Sequence, residues 1–155
     1  PNSDGEMVGL DDPMFKDKAV LVQIMGTWCP NCLDETRFYV DFVKNNPDLD
    51  LQLVGLAFEY AKTEEKAFEG IQRLQEREDV PYPILLAQYG TSNKQKANEK
   101  LPMLNHILSY PTTIYIDKSG EVRKIHTGFN GPATGEKFVE FKEEFNKTIQ
   151  ELTSE

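Results

Sequence analysis

Two cysteines stand three positions apart in Trp28-Cys29-Pro30-Asn31-Cys32, and their spacing is the feature of this 155-residue chain that most directly implies chemistry. An almost continuous apolar run from Ala19 to Met25 precedes them and a helical pattern starts at Pro30, so the first sulfur stands at a helix N-terminus. Unsatisfied backbone N–H groups and the helix dipole favour an anion there, and cysteine pKa values in such settings fall from about 8.5 to roughly 3.5–7.5. The thiolate is the attacking species, which makes Cys29 the candidate nucleophile. Cys32, one helical turn further in, is the candidate resolving thiol, able to attack a mixed disulfide and release the partner. A strand, a C-x-x-C and a helix in succession read as a redox motif. Two other readings are weaker. Half of a zinc site would need further ligands, and the histidines, His106 and His126, are distant and not in ligand spacing. A structural disulfide closing so small a loop would constrain little of the unfolded chain.

The elements that must position this pair follow from the apolar pattern. Residues 19–25 have the length and near-uniform apolarity of a central strand covered on both faces. The helix from Pro30 offers Leu33, Phe38, Tyr39, Phe42 and Val43 to a buried face and ends at Asn45-Asn46-Pro47. Leu51 to Phe58 predict a second buried strand, and Thr63 with Glu64 and Glu65 predicts a helix start, continued by Phe68, Ile71 and Leu74. Ile84 to Ala87 suggest a short additional strand, and Ser92–Lys100 a helix stopped by Pro102. Thr112–Ile116 and Val122–Thr127 flank the turn residues Asp117-Lys118-Ser119-Gly120, which predicts a hairpin. Phe138, Phe141, Phe145, Ile149 and Leu152 recur at helical spacing behind a cap near Thr134, and this stripe reads as core. Residues 2–10, with the Asp4-Gly5 turn, suggest an N-terminal hairpin.

Length and composition bound the rest. A chain of 155 residues, 39% of them hydrophobic, is expected to form a single domain over 1–155 around one core. Seventeen Lys and Arg against 26 Asp and Glu leave a net charge of −9, which makes nucleic acid a poor partner. The apolar runs fall far short of the roughly 18 residues that span a bilayer. No apolar leader precedes Pro1, so a processed or trimmed chain is expected, its targeting segment not present here.

With these residues in place the sequence resembles the thioredoxin fold over nearly its whole length. Asp4-Gly5 with Val8 and Leu10 ahead of Phe15 to Val20, and Tyr110-Pro111-Thr112-Thr113 running into Ile116 to Gly120, make it similar to the TlpA/ResA-like thiol-disulfide oxidoreductases, a bacterial extracytoplasmic branch related to the AhpC/TSA peroxiredoxins. The resemblance implies an α/β fold, a central mixed sheet flanked by helices, and a dithiol/disulfide couple at Cys29 and Cys32 with no bound cofactor. It aligns Pro111 with a cis-proline that packs across from the cysteines, and it gives Trp28, Pro30, Asn31 and Tyr110 to substrate contact. Glu35 matches a glutamate after the motif; it follows Cys32 by three residues, on the same side of a helix, and the implied role is proton acceptor or charge tuning the thiols. Thioredoxin carries a buried aspartate where this chain has Gln23, which cannot take a proton, so the weight falls on Glu35. Arg37 replaces a helix-kinking proline of the family. Implied partners are protein thiols and disulfides and an upstream membrane or thioredoxin-type electron donor, with the chain a monomer in an extracytoplasmic compartment and cytochrome c maturation one setting.

Among the other polar residues, Glu59 ends the second strand at the edge where α/β sites gather, and it reads first as a solvated surface group and second as a border of the active surface. His126 reads as a satisfied strand histidine, and His106 receives no role. Two rival functions remain in view: a thiol peroxidase, although Met25-Gly26-Thr27-Trp28 before Cys29 is not the peroxidatic context, and a copper-binding chaperone, although the cysteine spacing is too narrow.

Overall fold

The computed structural model describes residues 18–47, 49–59, 61–88, 111–127 and 135–153. In chain order these form β1 (Ala19–Met25), α1 (Pro30–Asn45), β2 (Leu51–Phe58), α2 (Glu64–Glu78), β3 (Ile84–Gln88), β4 (Thr112–Ile116), β5 (Val122–Thr127) and α3 (Glu136–Thr153). The expected N-terminal hairpin, the helix at 92–100 and the cap near Thr134 lie outside the described residues.

The strands make one five-stranded sheet in the order β3-β2-β1-β4-β5. β1 is central, parallel to β2 and antiparallel to β4, and all seven of its residues are buried, as its nearly continuous apolar run predicts. β3 extends the parallel half, and the β4–β5 hairpin closes the antiparallel half. Asp117 Oδ1 pins that hairpin by accepting from the backbone N–H of Ser119 at 3.0 Å and of Glu121 at 2.9 Å, and Gly120 takes the positive φ of 90° that the turn needs.

Alternation along β1 divides the core in two. Ala19, Leu21 and Met25 join residues of α1, α2 and α3 in one cluster, while Val20, Val22 and Ile24 join Val54, Phe58, Leu85, Ile114 and Ile116 in another. α1 runs unbroken from Pro30 to Asn45, with Arg37 on its exposed side, bonded to Glu78 at 3.0 Å. With Arg37 in place of the kinking proline, the helix continues through this position without a break. α3 is tied to it by aromatic packing: the Phe145 ring meets Phe38, Phe42, Tyr39 and Phe141 at 4.9–5.9 Å between centroids. The Phe stripe is core, as the helical spacing predicts.

Phe145 is 1% exposed and stands at the centre of this packing, so Phe145→Ala is expected to cost about 3–5 kcal/mol of folding free energy. Val139→Ala, on the exposed side of the same helix, is expected to change it by less than about 0.5 kcal/mol. Chemical denaturation of the two variants checks the contrast.

Candidate active site

β1 ends at Met25 and the chain turns through Gly26–Cys29 into α1. The turn is closed by the Cys29 N–H on the Gly26 carbonyl at 3.1 Å. Gly26 is required here, since a Cβ at this position would stand 2.1 Å from Trp28 Nε1. The indole lies over that glycine and donates from Nε1 to the Phe58 carbonyl at 2.9 Å. Cys29 is the N-cap of α1, with extended backbone, and its Sγ accepts from the Cys32 N–H at 3.2 Å. Pro30 follows where a missing N–H costs nothing. Pro30 and Asn31 are exposed at the rim, Cys29 keeps 6% exposure and Cys32 none, so the two thiols differ in access as the spacing predicts. Burial pushes the Cys32 thiol well up, and the neighbouring Cys29 and Glu35 add to the shift.

Glu35 is fully buried on the sheet-facing side of α1. Thr113 Oγ1 donates to Glu35 Oε1 at 3.1 Å. Tyr39 OH lies 2.7 Å from the same Thr113 oxygen, and since the threonine proton goes to Glu35, the phenol is the donor. Gln23 lies beside them because β1 and β4 pair it with Thr113 across the ladder. Its Nε2 donates to the Cys32 carbonyl at 3.3 Å and its Oε1 accepts from Thr36 Oγ1 at 3.2 Å. The amide standing where thioredoxin has an acid thus braces the first turn of α1. Glu35 Oε2 has no hydrogen-bond partner among the described residues. Burial pushes Glu35 up to about 8, with Thr113, Gln23 and Tyr39 pulling it back only in part. A carboxyl tuned to that range exchanges a proton near neutral pH, next to a thiol that resists ionisation.

Of the other expected site residues, Trp28 is partly buried beside Cys29, Pro111 is buried directly before β4, and Tyr110 lies outside the described residues, as does His106. The surface reading of Glu59 is wrong: it is 2% exposed, and its carboxylate accepts from the Thr27 N–H at 3.0 Å and from Thr27 Oγ1 at 2.5 Å. The Thr27–Trp28 turn that follows β1 is bonded to the end of β2, which a strand-end position does not reveal. The His126 ring packs tilted against Phe141, with centroids 5.4 Å apart, and its Nε2 is buried with no hydrogen-bond partner among the described residues, where a satisfied histidine is the expectation. Sequence reasoning also missed Thr113 and Tyr39. The available signal was a threonine on the same face of β4 as the buried Tyr115, and a tyrosine four residues after Glu35 on α1.

No helix among the described residues is long and apolar enough to cross a membrane. The chain is 29% identical over 124 residues to Thioredoxin-like protein YneN of Bacillus subtilis, covering 80% of this chain and 64% of that protein. It is 25% identical over 118 residues to Thiol:disulfide interchange protein DsbE of Vibrio cholerae, covering 76% of this chain and 54% of that protein. The chain therefore spans less than two thirds of the length of either relative. Among solved structures, a thiol:disulfide interchange protein of the thioredoxin family from Chlorobium tepidum superposes with a TM-score of 0.63 at 21% identity, over 90% of this chain and 88% of that one. A thiol-disulfide isomerase from Corynebacterium glutamicum gives 0.69 at 17% identity, over 97% and 90%. These likenesses bear out the thioredoxin-like α/β fold. Residues 1–140 match the Redoxin family model, and the chain belongs to the Redoxin family.

Proposed function

We propose that this protein is a thiol-disulfide oxidoreductase that reduces protein disulfides. The observation that carries the reading is the Cys29 sulfur at the N-cap of α1, with Cys32 buried one turn behind it and Glu35 buried behind both. The names of the relatives, a thiol:disulfide interchange protein among them, support the same class.

In the first step Cys29 Sγ attacks one sulfur of a partner disulfide; the S–S bond breaks, and the other partner sulfur leaves as a thiolate. Cys32 then attacks Cys29 Sγ in the mixed disulfide, expelling the second partner thiol and leaving Cys29 and Cys32 joined. Two electrons pass from the protein to the substrate. The second step needs Cys32 to lose a proton that burial holds on it. Glu35 is the base: lifted to about 8, it matches a thiol far better than an ordinary carboxylate would. Thr113 and Tyr39 fix its orientation by hydrogen bonds, and Gln23 fixes Cys32 through its carbonyl. Pro30, Asn31 and Trp28, beside the cysteines, are assigned to contact with the partner chain, and the family resemblance adds Pro111 and Tyr110 to that assignment. No bound cofactor is required beyond the redox-active cysteine pair. A monomer working outside the cytoplasm, recharged by a membrane or thioredoxin-type donor, suits this chemistry. Cytochrome c maturation and upkeep of periplasmic thiols are settings the family resemblance implies.

Insulin-disulfide reduction by the reduced protein is expected to vanish in Cys29→Ser, while Cys32→Ser is expected to accumulate the mixed disulfide; turnover by Cys29→Ser at the parent rate would refute the assignment. Titration of the couple against glutathione is expected to place it nearer about −270 mV, as for thioredoxin, than about −120 mV, as for a strong oxidant. Glu35→Gln is expected to slow resolution of the mixed disulfide by about a hundredfold and to remove its rise as pH passes 8, measured by stopped-flow. The same residue sets a stability slope. Because the folded-state pKa is raised, the folded state holds a proton that the unfolded chain has lost between the ordinary carboxylate range and about 8. Unfolding free energy is expected to fall as pH rises through that window and to level off above it, with the slope flattened in Glu35→Gln.

A further inference from the structure

The β1–β2 ladder ends at Met25↔Ala57, and continuing the register two residues would set Thr27 opposite Glu59. Main-chain pairing stops short of that point, and the Glu59 side chain takes its place. Both carboxylate oxygens turn to Thr27: Oε2 lies 3.0 Å and Oε1 3.3 Å from its N–H, and Oε1 also accepts from Oγ1 at 2.5 Å. One residue earlier, the Phe58 carbonyl holds the Trp28 indole at 2.9 Å. Two consecutive residues at the end of β2 thus grip two consecutive residues of the turn whose next member is Cys29. A carboxylate buried to 2% exposure is costly to hold unless its hydrogen bonds are made, and among the described residues they all go to Thr27 of the turn.

We propose that Glu59 is a positioning residue for thiol exchange: by clamping Thr27 it holds the Gly26–Trp28 turn, and through it the Cys29 sulfur, in the geometry of attack. The proposal rests on the exchange activity proposed above, and nothing in the cysteine motif itself specifies it. Glu59 touches neither sulfur, so its effect passes through the backbone of the turn. A displacement of the attacking atom by a fraction of an ångström is enough to cost rate.

Trp28 is the sole tryptophan of the chain, so its emission reports the turn directly. Three measurements on Glu59→Ala, Glu59→Gln and Thr27→Val test the clamp: kcat/KM for reduction of a small aryl disulfide, the rate of Cys29 alkylation by iodoacetamide, and the Trp28 emission spectrum, all well below each variant's unfolding midpoint. Glu59→Ala is expected to lose about tenfold in both rates and to shift the emission. Glu59→Gln, whose amide can still accept from the Thr27 N–H and donate to its Oγ1, is expected to recover most of the loss. Thr27→Val keeps the N–H contact only and is expected to lose about two- to threefold. Parent rates in a folded Glu59→Ala, or slowed rates with unchanged emission, overturn the proposal. If Glu59→Ala does not fold, Thr27→Val decides, and parent alkylation with parent emission overturns it. A parent protein that does not reduce the disulfide sinks the exchange reading instead, while alkylation and emission still decide the clamp.

Discussion

The contact on which the site depends is the 3.2 Å hydrogen bond from the Cys32 N–H to the Cys29 sulfur. The first turn of a helix presents N–H groups with no intrahelical acceptor, and serine, threonine, aspartate or asparagine usually supplies the missing one. In α1 the sulfur does so, and no acid in the first turn competes for the place. The cap is therefore also the atom to which the proposed exchange assigns the attack. Its position requires that β1 end where it does, that Gly26 admit the Trp28 ring, and that the turn be tied to the end of β2. The sheet, the turn and the helix start form one unit whose output is the direction of that sulfur.

Behind the cap lies a buried polar layer between α1 and the centre of the sheet. Glu35, Tyr39 and Thr36 come from the helix, Gln23 from β1 and Thr113 from β4, so the layer exists only when three elements are packed. Placing a carboxyl there opposes folding, because burial disfavours its charge, and the hydrogen bonds from its neighbours offset only part of that penalty. The same imbalance is what makes the group useful. A carboxyl that ionises in the ordinary range is a poor base toward a thiol, whereas one lifted to about 8 is closely matched. Stability and proton affinity are two readings of one burial. The neutral amide of Gln23 at the neighbouring ladder position adds no second charge to the layer and instead braces the helix through the Cys32 carbonyl.

Much of this arrangement could be read along the chain. The nearly continuous apolarity of Ala19–Met25 determined a central strand, Pro30 and the acid-led Thr63 marked helix starts, Asp117 to Gly120 marked a hairpin, and the phenylalanine spacing of the last helix marked its core face. The cysteine pair and the helix side that Glu35 shares with Cys32 were legible too, because spacing along one helix is a local property, while the role given to Glu35 came from the family resemblance. What the sequence by itself determined, then, is the elements and the chemistry carried within one of them. The burial of Glu59, the donation of Thr113 to Glu35 and the packing of His126 against Phe141 were decided only by tertiary structure. Thr113 is 78 residues from Glu35 and Glu59 is 32 from Thr27, and no local periodicity encodes contacts of that separation. Strand pairing sets them, since which residue lies opposite which depends on the register of β1 between β2 and β4. An acid at a strand end looks like surface until the turn from the neighbouring strand is bonded to it, and a threonine in a strand looks like a β-former until a carboxyl group is laid against its hydroxyl.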